Sequence, residues 1–176
     1  IGSPFAFPIV MAKRPGSDKL RMCVDYSLQN EQTLPLPFPI PDAREQLDKL
    51  AGKKFYFSLD CSKFFHEFEI VPEHRDLTAF VVPWGRKYRW TRVPFGLRNS
   101  PSHCQREFQQ LLAENGLSML VPYYDDVAYG SDDADDLCEK FERLLRIAVT
   151  HGLKFKEDSK LILGHSAINH LGFVCN

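Results

Sequence analysis

The order of predicted elements along this chain indicates an α+β fold with an antiparallel sheet. Strand-like segments, helical segments and a hairpin follow one another without the regular alternation that a doubly wound parallel sheet requires. The 176 residues are 44% hydrophobic and 26% charged, which is ordinary for a globular chain with its own core. We therefore expect a single α+β domain over residues 1–176.

Five segments carry the pattern of strands. Most are short apolar runs bounded by polar or turn residues, and HEFEI alternates between polar and apolar side chains. A turn at Trp84-Gly85 is expected to join the last two segments. The expected strands are residues 20–26, 54–59, 66–70, 77–83 and 87–93.

Three segments carry the pattern of helices. Ser100 and Pro101 supply an N-cap and a proline at the first helical position, and Asn115-Gly116 ends that helix. A helix over residues 42–51 places Leu47 and Leu50 inward. A third begins within SDDADD and closes at His151-Gly152, with one apolar face formed by Leu137, Phe141, Leu144, Leu145 and Ala148. The acidic run resembles a metal cluster, but we favour a structural role, because carboxylates at a helix N-terminus complement its dipole.

Bulk composition does not by itself indicate a partner. The net charge is −1, so the basic clusters near the start and the middle are, on charge alone, best interpreted as solvated faces. Five widely spaced cysteines without a CxxC pair favour free thiols over a disulfide framework or a zinc site. No apolar run is long enough for a membrane span, and the abrupt N-terminal start suggests a fragment of something longer.

The stretch VPYYDDVAYG places two aspartates, Asp125 and Asp126, between strand-like flanks. They are expected at the tip of a hairpin, and a plain role as turn residues is one interpretation. Asp60 ends the predicted strand 54–59. If that strand pairs beside the hairpin, Asp60 and Asp125 present oxygens to a common point. Two divalent ions roughly 3.5–4 Å apart need shared carboxylates, and magnesium prefers oxygen ligands.

VPYYDDVAYG also resembles the Tyr-x-Asp-Asp box of reverse transcriptases. Further segments resemble other motifs of these enzymes, in the order found in LTR retrotransposons of the Gypsy class. They are SPFAFPIV and RMCVDYSLQN in the fingers, VPFGLRNSPSHCQREF after the fingers hairpin, and HGLKFKEDSK with HLGFV in the late palm. The resemblance covers nearly the whole chain. It implies the right-hand polymerase fold, with fingers at about 1–41 and 71–99, palm at about 42–70 and 100–176, and no thumb.

The resemblance also implies roles for individual residues. Asp60, Asp125 and Asp126 match the catalytic triad. Asp60 and Asp125 are expected to hold two Mg²⁺ ions, for which Mn²⁺ is a possible substitute, together with Asp126 and the backbone carbonyl of Cys61. Lys160 best matches the lysine that protonates pyrophosphate, with Lys154 and Lys156 as rivals.

Substrate-binding residues are implied in the same way. Phe65 matches the aromatic gate that excludes a ribose 2′-hydroxyl, although core packing is an alternative because Phe64 and Phe68 surround it. Expected nucleotide contacts are Arg21, Lys13 (or Lys19), Phe65, Phe95 and Gly96, and expected template–primer contacts are Tyr123, Tyr124 and Gln105.

Four positions depart from the family pattern: Ser27, Phe64, Glu67 and Tyr124. Because HLGFV lies at its end, the chain is also expected to lack a thumb and RNase H domain, and its grip on a duplex is expected to be weak. The first hypothesis is nevertheless an RNA-directed DNA polymerase. The alternative is a co-opted, catalytically silent module that binds protein or RNA. The gate at Phe65 disfavours a third class, an RNA polymerase or primase.

The polymerase hypothesis implies partners and a location. The expected partners are an RNA template, a DNA or RNA primer, dNTPs, and either the rest of a polyprotein or a partner chain, with no membrane. The expected location is intracellular, in cytoplasmic virus-like particles or in the nucleus.

Overall fold

The chain passes back and forth between two structural units, and each unit draws on two stretches of sequence. The computed structural model describes residues 1–13, 16, 18–36, 38, 42–156 and 162–176. The first unit comprises Ile1–Pro37 and Phe65–Pro101, and the second comprises Phe38–Phe64 and Ser102–Asn176. The fingers and palm boundaries given above stay a prediction.

Ten strands occur in the described residues, most of them short. The strands are β1 (Phe7–Lys13), β2 (Leu20–Val24), β3 (Phe55–Asp60), β4 (Phe80–Val81), β5 (Lys87–Tyr88), β6 (Val121–Tyr123), β7 (Asp126–Ser131), β8 (Ile162–His165), β9 (Ile168–His170) and β10 (Phe173–Cys175).

Four α-helices accompany them: α1 (Ser27–Gln32), α2 (Ala43–Leu50), α3 (Ser100–Glu114) and α4 (Ala134–His151). Asp42 and Asp133 cap α2 and α4 by accepting from Arg44 N and Asp135 N, which satisfies donors that a helix start leaves free. The structural role predicted for the start of α4 is therefore confirmed. Within the described residues, no helix combines the length and apolar character that crossing a bilayer requires.

The first unit contains a four-stranded sheet in the order β2-β1-β4-β5. The β1–β2 and β4–β5 pairs are antiparallel, whereas β1 and β4 run parallel, so this sheet is mixed. Its core contains Val24, Tyr26, Phe80 and Val82. The buried Tyr26 hydroxyl donates to the carbonyl of Thr78 at 2.9 Å, so the one polar atom of that ring is satisfied.

The second unit contains an antiparallel sheet in the order β6-β7-β3-β8. The central strand β3 is buried along most of its length, as expected for a strand that has neighbours on both sides. Leu50, Tyr56, Val121, Ala128 and Ile168 form a core cluster beneath this sheet. The strands β9 and β10 form a separate antiparallel pair.

One strand prediction was wrong, and another holds for only part of its length. Part of the segment 66–70 lies in a 3-10 helix, Phe64–Glu67, and only Glu69 makes an isolated bridge, to Arg92. The start of the segment 77–83 belongs to another 3-10 helix, Pro72–Thr78, which leaves the short β4. Alternation over so few residues does not distinguish a strand from a short helical turn.

The face of α4 also differs by one position from the prediction. Leu137, Leu144 and Ala148 are buried as expected, but Leu145 is 38% exposed and Ile147 is buried instead. Ile147 lies three residues after Leu144, so it continues the stripe at helical spacing.

Candidate active site

The hairpin that carries the paired aspartates turns one residue earlier than predicted. Tyr123 pairs with Asp126 across β6 and β7, so the two turn residues are Tyr124 and Asp125, and Asp126 is the first residue of β7. Tyr124 has a φ of +52°, a conformation that two-residue hairpins demand and glycine usually supplies. The prediction that Asp125-Asp126 forms the tip is therefore corrected to Tyr124-Asp125.

Strand β3 brings the third aspartate to this turn. In the antiparallel β3–β7 register, Asp60 lies opposite Asp126. The next residue, Cys61, donates its backbone N–H to the carbonyl of Asp125 at 2.5 Å. Asp60 is buried, with 3% of its surface exposed. The pairing that a shared metal site required, with the Asp60 strand beside the hairpin, is therefore present.

The carboxyl of Asp125 has a raised pKa. Loss of hydration is the largest cause, and the neighbouring Asp60 and Asp126 carboxylates add to it. Asp125 is exposed by its accessible surface, but protein atoms crowd the carboxyl enough to weaken its hydration. The three aspartates therefore interact electrostatically in one region. Within the described ranges, no three Asp, Glu, His or Cys side chains are already arranged as ligands of one metal ion.

A lysine from a distant segment contacts this carboxylate group. Lys156 Nζ lies 2.6 Å from Asp60 Oδ2, and the backbone N–H of Lys156 donates to the carbonyl of Asp60 at 2.8 Å. Ser62 N donates to the carbonyl of Lys154 at 2.6 Å, and Cys61 bridges Phe155. Residues 154–156 thus extend the sheet beside the end of β3. Lys160, the preferred match for a proton donor, lies outside the described residues.

Gln105 on α3 holds the hairpin from behind. Its Oε1 accepts the backbone N–H of Tyr124 at 2.6 Å, and its Nε2 donates to the carbonyl of Pro122 at 2.9 Å. Gln105 is 0% exposed, so this side chain acts on the hairpin rather than on an external template. The signal for this role was present in the sequence, because Gln105 precedes Phe108 and Leu112 by three and seven residues and so lies on the apolar face of α3.

In the first unit, the predicted nucleotide-binding residues gather around the Phe95 ring. The Arg21 guanidinium lies 5.4 Å from the ring centroid, within the range of a cation–π contact. Phe65 meets the same ring edge to face at 5.1 Å. His66, which sequence reasoning missed, contacts it at 5.3 Å and stacks on Trp90.

The remaining predicted residues of the first unit are Gly96 and Lys13. Gly96 has a φ of +95°, where a side chain would be strained. Lys13 ends β1 opposite Leu20, and the next pair in this register is Ala12 with Arg21. Lys13 and Arg21 are both exposed, so both cations are accessible to an anion.

Adjacent phenylalanines have different environments. Phe64 is buried in the second unit, where it meets Phe108 edge to face at 5.5 Å. Phe65 is half-buried in the first unit against Phe95. Phe64 is therefore a core residue, whereas the gate and the packing role of Phe65 both stay predictions.

Comparison with known proteins identifies the family. The model of the reverse transcriptase (RNA-dependent DNA polymerase) family matches residues 9–175. This chain belongs to the reverse transcriptase family. The predicted Gypsy-class resemblance is confirmed by its relatives among transposon polyproteins.

Three relatives illustrate the similarity of this reverse transcriptase chain. The retrovirus-related Pol polyprotein from transposon gypsy of Drosophila melanogaster is 28% identical over 98% of the chain. That from transposon 297 of the same species is 32% identical over 98%. The enzymatic polyprotein of cauliflower mosaic virus (strain CM-1841) is 34% identical over 91%. The chain spans only 17%, 16% and 23% of these polyproteins.

Solved structures of foamy virus proteins share the fold of this reverse transcriptase. The foamy viral protease–reverse transcriptase dRH in complex with ds DNA matches 98% of the chain and 30% of its own length, with a TM-score of 0.87 and 24% identity. The native prototype foamy virus protease–reverse transcriptase matches 98% of the chain and 23% of its own length, with a TM-score of 0.81 and 28% identity. The predicted polymerase fold is confirmed.

Reverse transcriptases depend in general on a divalent metal ion. The donors gathered at the hairpin fit such an ion, because carboxylate oxygens are the ligands that Mg²⁺ prefers. Mutual repulsion contributes to the raised pKa of Asp125, and a bound cation would relieve it.

Proposed function

We propose that this chain carries the active site of an RNA-directed DNA polymerase within a retroelement polyprotein. The proposed reaction adds dNTPs to a primer 3′-end by nucleotidyl transfer. The observation that carries the proposal is the β3–β7 register, which places the buried Asp60 opposite Asp126 and beside the Asp125 turn. A buried carboxylate is costly unless a cation or a metal ion compensates its charge.

The three aspartates are the proposed metal ligands. Asp60, Asp125 and Asp126, with the backbone carbonyl of Cys61, would hold two Mg²⁺ ions, or Mn²⁺ in their place. When bound, the ions would supply charge stabilisation to the attacking and leaving oxygens. The chain itself fixes the backbones of two of these residues, because Asp60 lies within β3 and Asp125 is tied to Cys61 by a backbone hydrogen bond.

The nucleotide is proposed to meet the residues around Phe95. Arg21 would bind the triphosphate, because a guanidinium matches phosphate oxygens with paired donors. Lys13, one position away in the β1–β2 register, is retained as a second proposed cation. Phe65 would exclude a 2′-hydroxyl, with Phe95 as its packing partner. The positive φ of Gly96 would turn the backbone at the pocket wall.

The primer is proposed to lie against the hairpin. Tyr123 and Tyr124 pack edge to face with ring centroids 4.9 Å apart, a surface suited to a base or sugar. Gln105 would serve as a positioning residue that fixes Tyr124, so its effect on the template–primer would pass through the turn. Lys160 is retained as the proposed proton donor to pyrophosphate.

The proposed partners follow from the reaction and from the relatives. A foamy viral protease–reverse transcriptase has been solved in complex with an RNA/DNA hybrid, which supports an RNA template and a primer here. The relatives are polyproteins, so the chain would work with a thumb and RNase H from the same polyprotein or with a partner chain. The proposed location is a cytoplasmic virus-like particle or the nucleus.

Primer extension on an RNA template tests the proposal. The wild-type chain with Mg²⁺ and dNTPs is compared with Asp125→Asn and with Asp132→Asn. Asp132 provides a matched control because it is an exposed aspartate of the same unit, paired with Lys53 at 3.0 Å. Extension by wild type and Asp132→Asn, with at least about a 100-fold loss in Asp125→Asn, is expected, since two-metal chemistry depends on each carboxylate.

Equal extension by Asp125→Asn would contradict the proposed ligand. A preference for rNTPs would contradict the proposed substrate. If neither the chain alone nor the longest natural polypeptide that contains it extends the primer, the proposed catalysis is overturned.

A silent binding module is the second candidate. The observation that favours it is the ion pair between Lys156 and Asp60, which places an ammonium against a carboxylate proposed to bind metal. A silent module predicts no extension in any form of the protein, and binding of RNA or protein that Asp125→Asn leaves unchanged.

A further inference from the structure

The two partners of the contact between Lys156 and Asp60 differ in solvent exposure. The Asp60 side chain is 2% exposed, whereas the Lys156 side chain is 43% exposed. The 2.6 Å contact between Lys156 Nζ and Asp60 Oδ2 is a charge-assisted hydrogen bond. The lysine can therefore leave for solvent, while the aspartate stays in the core.

The charges at the hairpin explain why a cation belongs there. The β3–β7 register sets Asp60 opposite Asp126, and Cys61 N donates to the carbonyl of Asp125, so the three aspartates lie together. Like charges held close together destabilise one another unless a positive charge offsets them. The Lys156 ammonium supplies one such charge, directly on Asp60 Oδ2.

A metal ion needs the same carboxylate that the ammonium holds. Mg²⁺ binds the oxygens of carboxylates directly, and an ammonium 2.6 Å from Asp60 Oδ2 repels a second cation at the same carboxylate. The backbone bond from Lys156 N to Asp60 O does not involve the side chain. It keeps Lys156 beside the site after the ammonium has moved away.

We propose that Lys156 is a built-in counter-ion of the active site, which holds Asp60 until a divalent cation displaces its ammonium. This inference rests on the proposed function, because it takes Asp60 and Asp125 as the metal ligands. Lys156 thereby sets a threshold for metal loading and stabilises the metal-free fold. It is a positioning residue, since it acts on Asp60 rather than on the substrate.

Mn²⁺ binding, measured from the electron paramagnetic resonance signal of the free ion, tests the proposal without any turnover. The variants are Lys156→Gln, which removes the charge, and Lys156→Arg, which keeps it. Lys53→Gln is the matched control, because it breaks a Lys–Asp pair of the same unit, that with Asp132. Lys156→Gln is expected to bind Mn²⁺ about 10-fold more tightly than wild type, whereas Lys156→Arg and Lys53→Gln bind it as wild type does.

Thermal unfolding gives a second readout. Metal-free Lys156→Gln is expected to melt below wild type, because removing one partner leaves the buried Asp60 charge without its ammonium. Saturating Mn²⁺ is expected to close that difference, since binding to the folded state stabilises it. A merely structural lysine would instead leave the same deficit with and without Mn²⁺.

A third measurement uses wild type alone and holds even if Lys156→Gln does not fold. The rate at which acetic anhydride acetylates Lys156, followed by mass spectrometry, is expected to rise severalfold on adding Mn²⁺. A nitrogen held against a carboxylate must leave that contact before it attacks the reagent. Lys53 provides the internal reference, and its rate should not change.

The outcomes separate the two proposals. If Asp125→Asn binds Mn²⁺ as tightly as wild type, the metal site itself is wrong and the inference falls with it. If Asp125→Asn weakens binding but Lys156→Gln does not strengthen it, the metal site stands and the counter-ion role is overturned. An unchanged acetylation rate in wild type that binds Mn²⁺ overturns the counter-ion role as well.

Discussion

Gln105 fixes Tyr124 in the active-site turn through a hydrogen bond of 2.6 Å between its Oε1 and the Tyr124 backbone N–H. Tyr124 has a φ of +52°, a conformation that costs on the order of 1–3 kcal/mol in a non-glycine residue and persists only where its surroundings enforce it. Gln105 is fully buried, so this bond is not exchanged for water. The helix α3 thereby supports the geometry of Asp125, the next residue in the turn.

Replacing Gln105 by methionine is expected to destabilise the protein by about 2 kcal/mol. The side chain keeps its length and apolar contacts, but the Tyr124 N–H and the Pro122 carbonyl lose their partner, and an unsatisfied buried group costs about 1–3 kcal/mol. Urea unfolding measures the loss. Primer extension should fall with it at temperatures where the variant is folded, since the turn is then less well held.

Gln110→Met is the control for this prediction. Gln110 lies on the same helix and donates to Glu114 at 2.7 Å, but the pair is exposed, so its loss should cost no more than about 0.5 kcal/mol. Equal stability of Gln105→Met and Gln110→Met would show that the buried amide does not hold the turn.

Asp125→Asn is expected to raise stability at pH 7 while it removes catalysis. The pKa of Asp125 is raised in the folded state by loss of hydration and by Asp60 and Asp126. Because the pKa of Asp125 is higher in the folded than in the unfolded chain, proton binding by Asp125 stabilises the fold at low pH, and this stabilisation is lost as the pH rises through the folded pKa. At neutral pH the ionised side chain therefore opposes folding.

The measurement is the melting temperature of wild type and Asp125→Asn across pH. The variant should melt higher at pH 7, and the gap should narrow as the pH falls towards 3.8, the ordinary pKa of an aspartate. Saturating Mg²⁺ should reverse the order, because it stabilises the form that binds it. A variant that melts below wild type at pH 7 without metal would contradict the electrostatic account.

Local patterns predicted the central part of this site well. The apolar run ending at Asp60 and the strand-like flanks of VPYYDDVAYG predicted the strands themselves, and the pairing of β3 beside the hairpin was only a condition, which the structure meets. The turn was predicted one residue too late, because Asp is a favoured turn residue and tyrosine rarely adopts a positive φ. Tertiary support from Gln105 overrides that local preference.

Contacts between distant residues were beyond these patterns. Lys156 and Asp60 are separated by 96 positions, and three lysines within residues 154–160 were equally basic from the sequence. Only the backbone pairing of residues 154–156 with the end of β3 selects Lys156. His66 was missed because HEFEI suggested a strand. In the structure His66 lies in a 3-10 turn, and its imidazole stacks on Trp90.

Phe65→Ala is expected to weaken discrimination against rNTPs by about 100-fold, since a contact that excludes one group from a pocket is worth about 10–200-fold. Phe65 is only half-buried and packs on Phe95, so its loss should be tolerated by the fold. The measurement is the ratio of dNTP to rNTP incorporation by primer extension.

Phe64→Leu separates selectivity from packing. Phe64 is buried against Phe108, so this variant should lose about 1 kcal/mol of stability while keeping the sugar preference of wild type. If Phe65→Ala leaves that preference unchanged, or Phe64→Leu abolishes it, the gate has been assigned to the wrong residue.

His170 predicts an acid-sensitive contribution to folding in the second unit. Its side chain is 2% exposed, its Nε2 has no hydrogen-bond partner among the described residues, and burial lowers its pKa to about 4. Because the pKa of His170 is lower in the folded than in the unfolded chain, the neutral imidazole contributes its full stability above the unfolded value of 6.5. That stability is lost as the pH falls towards 4. The unfolded chain takes up a proton in this window, whereas the buried imidazole does not.

His170→Phe should therefore flatten the pH dependence of unfolding. Wild type is expected to lose about 3 kcal/mol more than the variant between pH 7 and pH 4, because each pKa unit of difference corresponds to about 1.4 kcal/mol. Urea unfolding at pH 7, 5.5 and 4 measures the free energy of unfolding of both proteins. The titratable groups that the two proteins share cancel in the difference. His165→Gln, at an exposed position on β8, is the control and should follow wild type. Parallel curves for wild type and His170→Phe would mean that the imidazole is solvated or paired in the folded protein.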